Sequence, residues 1–309
     1  MAMKGLFLRT WTPDCEKHWI SLSCLGHQIE TLQYDNLPHE QHDELVTRAK
    51  EIAPDLIVHI GALEQYHLKP VPVSSVLKKF RDIAPTMHLC SDASDYPWWP
   101  TLEEYDKTEC FDIQVSIDGN YETPLANFKN GVVKLTPTDP SEFSPLPWEE
   151  RSVIVGLTGG LGHHERAALI AYLTASPDVQ WNRNTSYSDM CKFMCRSKIS
   201  VNHSMNGTGD KFHVKGRVIE TAWAGACLLE RRNKHTEKWF KPGVDYLDYE
   251  DFKEAYKKIE WAKVNDSAIA EMADRFCKRV QAEHHPAAFW KDIFERVGIK
   301  DEVRNPEAA

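Results

Sequence analysis

The run Lys215 to Glu230, KGRVIETAWAGACLLE, holds the side chains best suited to chemistry. If a helix opens near Val214 to Arg217, then Lys215 and Arg217 lie at its positive end, with Glu220 one turn on. Cations there oppose the helix dipole by ~0.3–1 kcal/mol at exposed sites. A bound anion would reverse that cost, because helix N–H groups and a guanidinium together suit a diphosphate. Glu220, on the same face, would accept hydrogen bonds from vicinal hydroxyls such as those of ribose. Gly225 would end the helix in a left-handed cap. Glu230 falls past the helix, at the end of the strand ACLLE, and is expected to matter less to a ligand. A solvated amphipathic helix with an incidental charge pattern is the other reading of the same residues.

Two further runs bear on a site. In VGLTGGLGHHER, Gly156, Thr158, Gly159, Gly160 and Gly162 follow an apolar strand and precede a helix. Glycine lets a backbone approach a ligand closely, and the helix start favours an anion. The spacing is neither G-x-G-x-x-G nor a P-loop, so a plain strand-to-helix turn is the alternative. In CSDASDYPWW, Asp92 and Asp95 end a strand, where α/β proteins gather functional groups, and Trp98 and Trp99 offer flat faces to a sugar ring. The alternatives are a turn set by Asp95 before Pro97 and tryptophans that close a core. No D-x-D occurs, so the compact metal-holding motif of many sugar-nucleotide enzymes is missing and no metal is expected. HEQH, His39 to His42, has the wrong spacing for a zinc protease and reads as surface.

These residues need elements to position them. GLFLRTW, QIETLQY, DLIVHIGA, TMHLCSD and FDIQVSID read as strands, with helices between them from Pro13 to Leu25, in HEQHDELVTRAKEI and in VSSVLKKFRDI. Alternation of this kind predicts a parallel sheet covered by helices. Pro137, Pro140, Pro145 and Pro147 mark residues 137–150 as a linker. The alternation restarts with SVIVGLTGG, VQWNR, ISVNHS and ACLLE. The expectation is α/β with two Rossmann-like domains, residues 1–136 and 151–285, facing a cleft, and a tail at 286–309 that crosses back.

The 309 residues are 42% apolar and 27% charged, as in a globular chain, and the net charge of -9 disfavours long-range attraction to nucleic acid. No apolar run is long enough to span a membrane, and the amino-terminal apolar run is short for a secretory signal, so a cytoplasmic protein is expected. Eight cysteines without a C-x-x-C pair read as thiols; Cys191 and Cys195 share a helix face.

The stretch from Lys215 through WFKPGVDYLDY (Trp239 to Tyr249) to EHHPAAFW (Glu283 to Trp290) resembles the donor-binding domain of GT-B glycosyltransferases of the group 1 type, nearest the CgeB-like spore-maturation group. The resemblance covers roughly residues 150 to 295. It implies a metal-independent transfer of a sugar from a nucleotide-diphosphate donor to an acceptor hydroxyl, with no other cofactor. Glu220 would bind ribose, and Lys215 and Arg217 the diphosphate. The Gly156–Gly162 turn would also face the donor. Arg217 would stabilise the leaving group, Asp92 or Asp95 would serve the acceptor as base or orienter, and Trp98 and Trp99 would hold it. The acceptor class is open: glycan, small molecule, protein or modified nucleic-acid base. The sequence departs from the family's E-x7-E pattern, because Phe212 stands at the first glutamate; that leaves stereochemistry open, with retention favoured. A sugar-nucleotide epimerase of the same fold and a non-catalytic sugar-binding member are the alternatives.

Overall fold

A computed structural model describes residues 2–9, 21–34, 37–61, 71–161, 164–183, 185–205 and 211–300. The expected helix start at Pro13, together with Cys15, Gly162 and His163, lies outside them. The chain divides into two compact units, residues 1–139 with 285–309, and residues 140–284.

Unit 1 is built on a six-stranded sheet of order β2-β1-β3-β4-β5-β6. Its strands are β1 (Lys4–Arg9), β2 (Gln28–Gln33), β3 (Leu56–Ile60), β4 (Thr86–Cys90), β5 (Ile113–Ser116) and β6 (Gly131–Val133). Every pairing is parallel. Strands β3, β4 and β5 are buried at every position, which is why they read as unbroken apolar runs. The described helices are α1 (His42–Ile52), α2 (Ser74–Lys79) and α3 (Trp99–Lys107), and α10 (Pro286–Arg296) returns from the far end of the chain. Trp290 and Phe294 of α10 pack on Phe7, Val58 and Met87. The Trp290 indole donates to the Ser21 hydroxyl at 3.1 Å. His42 is a correction to the surface reading of HEQH: it is fully buried, and its Nε2 lies 3.1 Å from the Leu37 carbonyl.

Unit 2 is a five-stranded sheet of order β11-β10-β9-β7-β8. Its strands are β7 (Val153–Thr158), β8 (Val179–Asn182), β9 (Ser197–Asn202), β10 (Cys227–Arg231) and β11 (Leu247–Tyr249), again all parallel. Helices α4 (His164–Leu173), α5 (Tyr187–Cys195), α6 (Gly216–Trp223), α7 (Thr236–Trp239), α8 (Phe252–Val264) and α9 (Asp266–Glu283) connect or cover them. Helix α6 ends as its sequence predicts. Its last backbone bonds close on Ala224, and Gly225 follows at φ +62°, where any Cβ would meet the Arg151 guanidinium at 2.8 Å.

Candidate functional site

The carboxyl ends of the unit 2 strands carry a polar row built by register. Leu157, Val201 and Leu229 point into the core shared with α4, α8 and α9. Side chains alternate along a strand, so the next residues, Thr158, Asn202 and Glu230, face the opposite side, toward α6. Glu230 is registered with Asn202 and with Asp248, and Thr158 with Asn182. The pairing of Leu157 with Val201 brings Thr158 beside Asn202.

Two arginines converge on that row. Arg217, in the first turn of α6, donates from Nε to the Thr158 hydroxyl at 2.9 Å, and its Nη2 lies 4.0 Å from the Met190 sulfur. Its guanidinium lies over Gly159. That glycine has φ +108°, and a Cβ there would sit 2.9 Å from Arg217 Nη2. The turn is further held by the Trp181 indole, which donates to the Gly159 carbonyl at 2.9 Å. Arg166, in the first turn of α4, is the second cation. Burial, then the nearby Arg217, press its guanidinium down to about 10 from 12.5. Its Nη2 is 3.5 Å from the His203 carbonyl. The two guanidinia repel one another, Glu230 offsets part of that for Arg166, and an anion bound between them would offset more.

Glu220 is 1% exposed, and its Oε1 has no hydrogen-bond partner among the described residues. It lies beside the first turns of α5: burial, then the Glu220 charge, push the Tyr187 phenol and the Cys191 thiol up. Lys215 is the N-cap of α6, in extended backbone and half-buried. Gly160 follows Gly159 in the same turn. Gly156 sits within β7 instead, and a Cβ there would meet Ser197 Oγ at 2.5 Å and the Phe193 ring at 2.9 Å. Close packing of α5 on the strand accounts for this glycine. A cavity of about 790 Å³ runs along β8 and α5, lined by Trp181, Asn182, Lys192 and Phe193 together with Glu142 and Arg196; Thr158, Arg217 and Glu220 do not line it.

The sequence reading did not single out Arg166, and it set Glu230 apart from the ligand face. Glu230 is fully buried, in the row and on the α6 side, not remote from it. Its Oε2 accepts from Asn202 Nδ2 at 2.7 Å, and Asn202 also donates to the Ser204 hydroxyl at 2.9 Å. Burial pushes its carboxyl up to about 7, against the lowering influence of Ser204, Asn202 and Arg166.

In unit 1, Asp92 is half-buried past the end of β4 and Asp95 is buried. The turn they share is organised by Asp118, which sequence reading passed over: its Oδ2 accepts from the Ser94 amide at 2.9 Å and its Oδ1 from the Ser116 hydroxyl at 2.5 Å. Trp98 is a correction. It is 7% exposed and packs with Cys90, Ala93, Leu102 and Leu125, so it closes a core and has no face for a sugar. Trp99 is half-buried, donates to the Ala93 carbonyl at 3.2 Å, and lies 4.3 Å from the exposed Tyr96 ring. Among the described residues no three His, Cys, Asp or Glu side chains gather as metal ligands would, and no helix is long and apolar enough to cross a membrane.

The chain superposes over 96% of its length on 99% of the Anabaena HepE protein in complex with UDP-glucose, with a TM-score of 0.65 at 12% identity. It superposes over 96% of its length on 100% of an α-glucosyltransferase in complex with UDP-glucose and DNA containing an abasic site, with a TM-score of 0.65 at 10% identity. The chain has the GT-B fold. Sucrose-phosphate synthase of Thermosynechococcus elongatus shares this GT-B architecture, with a TM-score of 0.63 at 11% identity over 96% of this chain and 99% of that one. Residues 147–295 match a family model described as Glycosyl transferase-like, which takes in nearly all of unit 2. No curated protein matches the sequence.

Proposed function

We propose that this GT-B protein is a glycosyltransferase that takes a sugar from a nucleotide-diphosphate donor held on unit 2, without a metal ion. The observation that carries the reading is that Arg217, at the carboxyl end of β7, and Arg166, at the carboxyl end of β9, both reach the polar row. Open α/β sheets bind ligands at that end, and paired guanidinia suit a diphosphate. The donor would lie along the polar row. Its nucleoside would take the β8–α5 side, with the ribose hydroxyls on the unsatisfied Oε1 of Glu220. Its diphosphate would join Arg217 and Arg166, with Lys215 beside them. The bond to the sugar breaks as charge grows on the diphosphate. Cations already in place then stabilise the transition state more than the ground state, which is the task a metal performs elsewhere.

The acceptor would meet unit 1, with Asp92 as orienter of the hydroxyl and Asp95 behind it in the same turn. The Tyr96–Trp99 pair takes over the apolar contact first assigned to Trp98. The CgeB-like group is the subgroup we propose, on Lys215-Gly216-Arg217, Glu220, Gly225, WFKPGVDYLDY and the EHHPAAFW tail. The neighbours' UDP and UDP-glucose make uridine donors the first to try.

The test is a thermal-shift panel of UDP, GDP, ADP, CDP and dTDP with their glucose esters, followed by an assay for free nucleoside diphosphate. One diphosphate should raise the melting temperature in the presence of chelator, by mass action on the folded state. No stabilisation by any of them contradicts the reading. Conversion of the bound ester to an altered sugar nucleotide, with no diphosphate released, would favour an epimerase.

A further inference from the structure

Glu230 is a carboxylate in a place where carboxylates are seldom left. It is fully buried at the end of an otherwise apolar strand. One of its oxygens, Oε2, is bonded by Asn202 at 2.7 Å. The other, Oε1, is buried and has no hydrogen-bond partner among the described residues. Ser204 also bonds the carboxyl, through its hydroxyl and its amide, so the side chain is well held while one oxygen stays open; a buried carboxyl with an open oxygen still costs stability that a leucine here would not. Asn202, which holds it, is itself fixed: its carbonyl accepts from the Tyr249 hydroxyl at 3.0 Å. The group is therefore positioned as well as buried.

Thr158, bound by Arg217, lies on β7, and Glu230 lies two strands away on β10, with Asn202 of β9 between them. A donor whose diphosphate joins Arg217 and whose nucleoside lies on the β8–α5 side must carry its third part toward β9 and β10. That part is the sugar. An anionic phosphate would be repelled by a carboxylate, whereas a neutral sugar presents hydroxyls that donate to it. We propose that Glu230 is a specificity-determining residue of the donor site, its Oε1 accepting a hydrogen bond from a hydroxyl of the transferred sugar. The inference rests on the donor reading above and deepens it.

The experiment compares two ligands on three proteins. Wild type, Glu230→Leu and Glu230→Gln are titrated calorimetrically with the nucleoside diphosphate that binds tightest in the panel, and with its glucose ester. The Leu variant should bind the ester about 10-fold more weakly or worse, as expected for loss of a hydrogen bond to a charged group. It should keep its affinity for the bare diphosphate within roughly 2-fold. The Gln variant, which retains an accepting oxygen and the shape of the side chain, should recover most of the ester affinity. A structural role would weaken both ligands together, and the inference falls if the two lose equally or if neither changes. Melting temperatures of the free variants show whether each is folded; should the Leu variant fail to fold, Glu230→Met is read in its place with the same two ligands, and a ratio of ester to diphosphate affinity equal to that of wild type overturns the proposal. If wild type binds no diphosphate at all, the donor reading itself has failed and this inference with it.

Discussion

Replacing Arg166 by methionine should stabilise the empty protein while weakening its hold on a diphosphate. The fall of its guanidinium from 12.5 to about 10 corresponds to about 3 kcal/mol against the charged form in the fold. Burial is the first cause and Arg217 the second, and attraction to Glu230 is already included. The side chain is only part-buried, so solvent screens some of that cost, leaving about 1–3 kcal/mol to be recovered by a neutral side chain of similar length. Methionine keeps the packing along α4. In the complex the balance reverses, because one charged hydrogen bond to the phosphate is lost, about 1.5–3 kcal/mol or roughly 10- to 150-fold in affinity. Urea unfolding of the ligand-free protein and calorimetric titration with diphosphate measure the two halves separately. A variant that unfolds more easily when empty yet binds as wild type does would refute the reasoning. It would make Arg166 the ion-pair partner of Glu230 and no more.

Three other outcomes follow from the same geometry. Gly159→Ala should lower both melting temperature and diphosphate affinity, since a Cβ strains backbone at φ +108° and displaces the Arg217 guanidinium at 2.9 Å; unchanged affinity would detach the turn from the site. Unit 1 should weaken in mild acid. His59 and His88 are fully buried and stack on Phe111, and burial holds both below the usual 6.5, His88 at about 4. An imidazole kept neutral in the fold protonates first in the unfolded chain, so its stability is full above pH 6.5 and is lost as pH falls toward 4, about 3 kcal/mol for His88. His88→Phe should flatten that part of the pH profile, and parallel curves for variant and wild type would contradict it. Glu230 works in the opposite sense. Its pH-linked contribution is greatest below 4.5 and declines as pH rises through about 7, and Glu230→Gln should remove that decline.

Much of the fold was legible because each signal was local. The apolar runs of β3, β4, β7 and β9, the stop at Gly225 and the paired thiols of α5 are settled within a few residues of themselves. The three-residue strand β6 is too short to announce itself. The candidate site was legible only where its residues are neighbours in sequence, as with Arg217 and Glu220. Arg166 looks like any charge in the first turn of an amphipathic helix, and only the return of α6 beside β7 brings it to Arg217. Glu230 left a trace that went unread. VIVGLT, ISVN and ACLLE each turn from apolar to polar at the strand end, and parallel register puts those three ends side by side. Trp98 misled because tryptophan beside a strand end suits a sugar and a core equally well, and only the packing of Cys90, Leu102 and Leu125 around it tells them apart.

The most direct measurement is a calorimetric titration, in chelator, of the tightest-binding nucleoside diphosphate into wild type and into the Arg166→Met, Arg217→Met double variant. The account predicts binding to wild type without metal and none to the variant, with both proteins folded. Binding that appears only when magnesium or manganese is added, or that survives in the double variant, would contradict it.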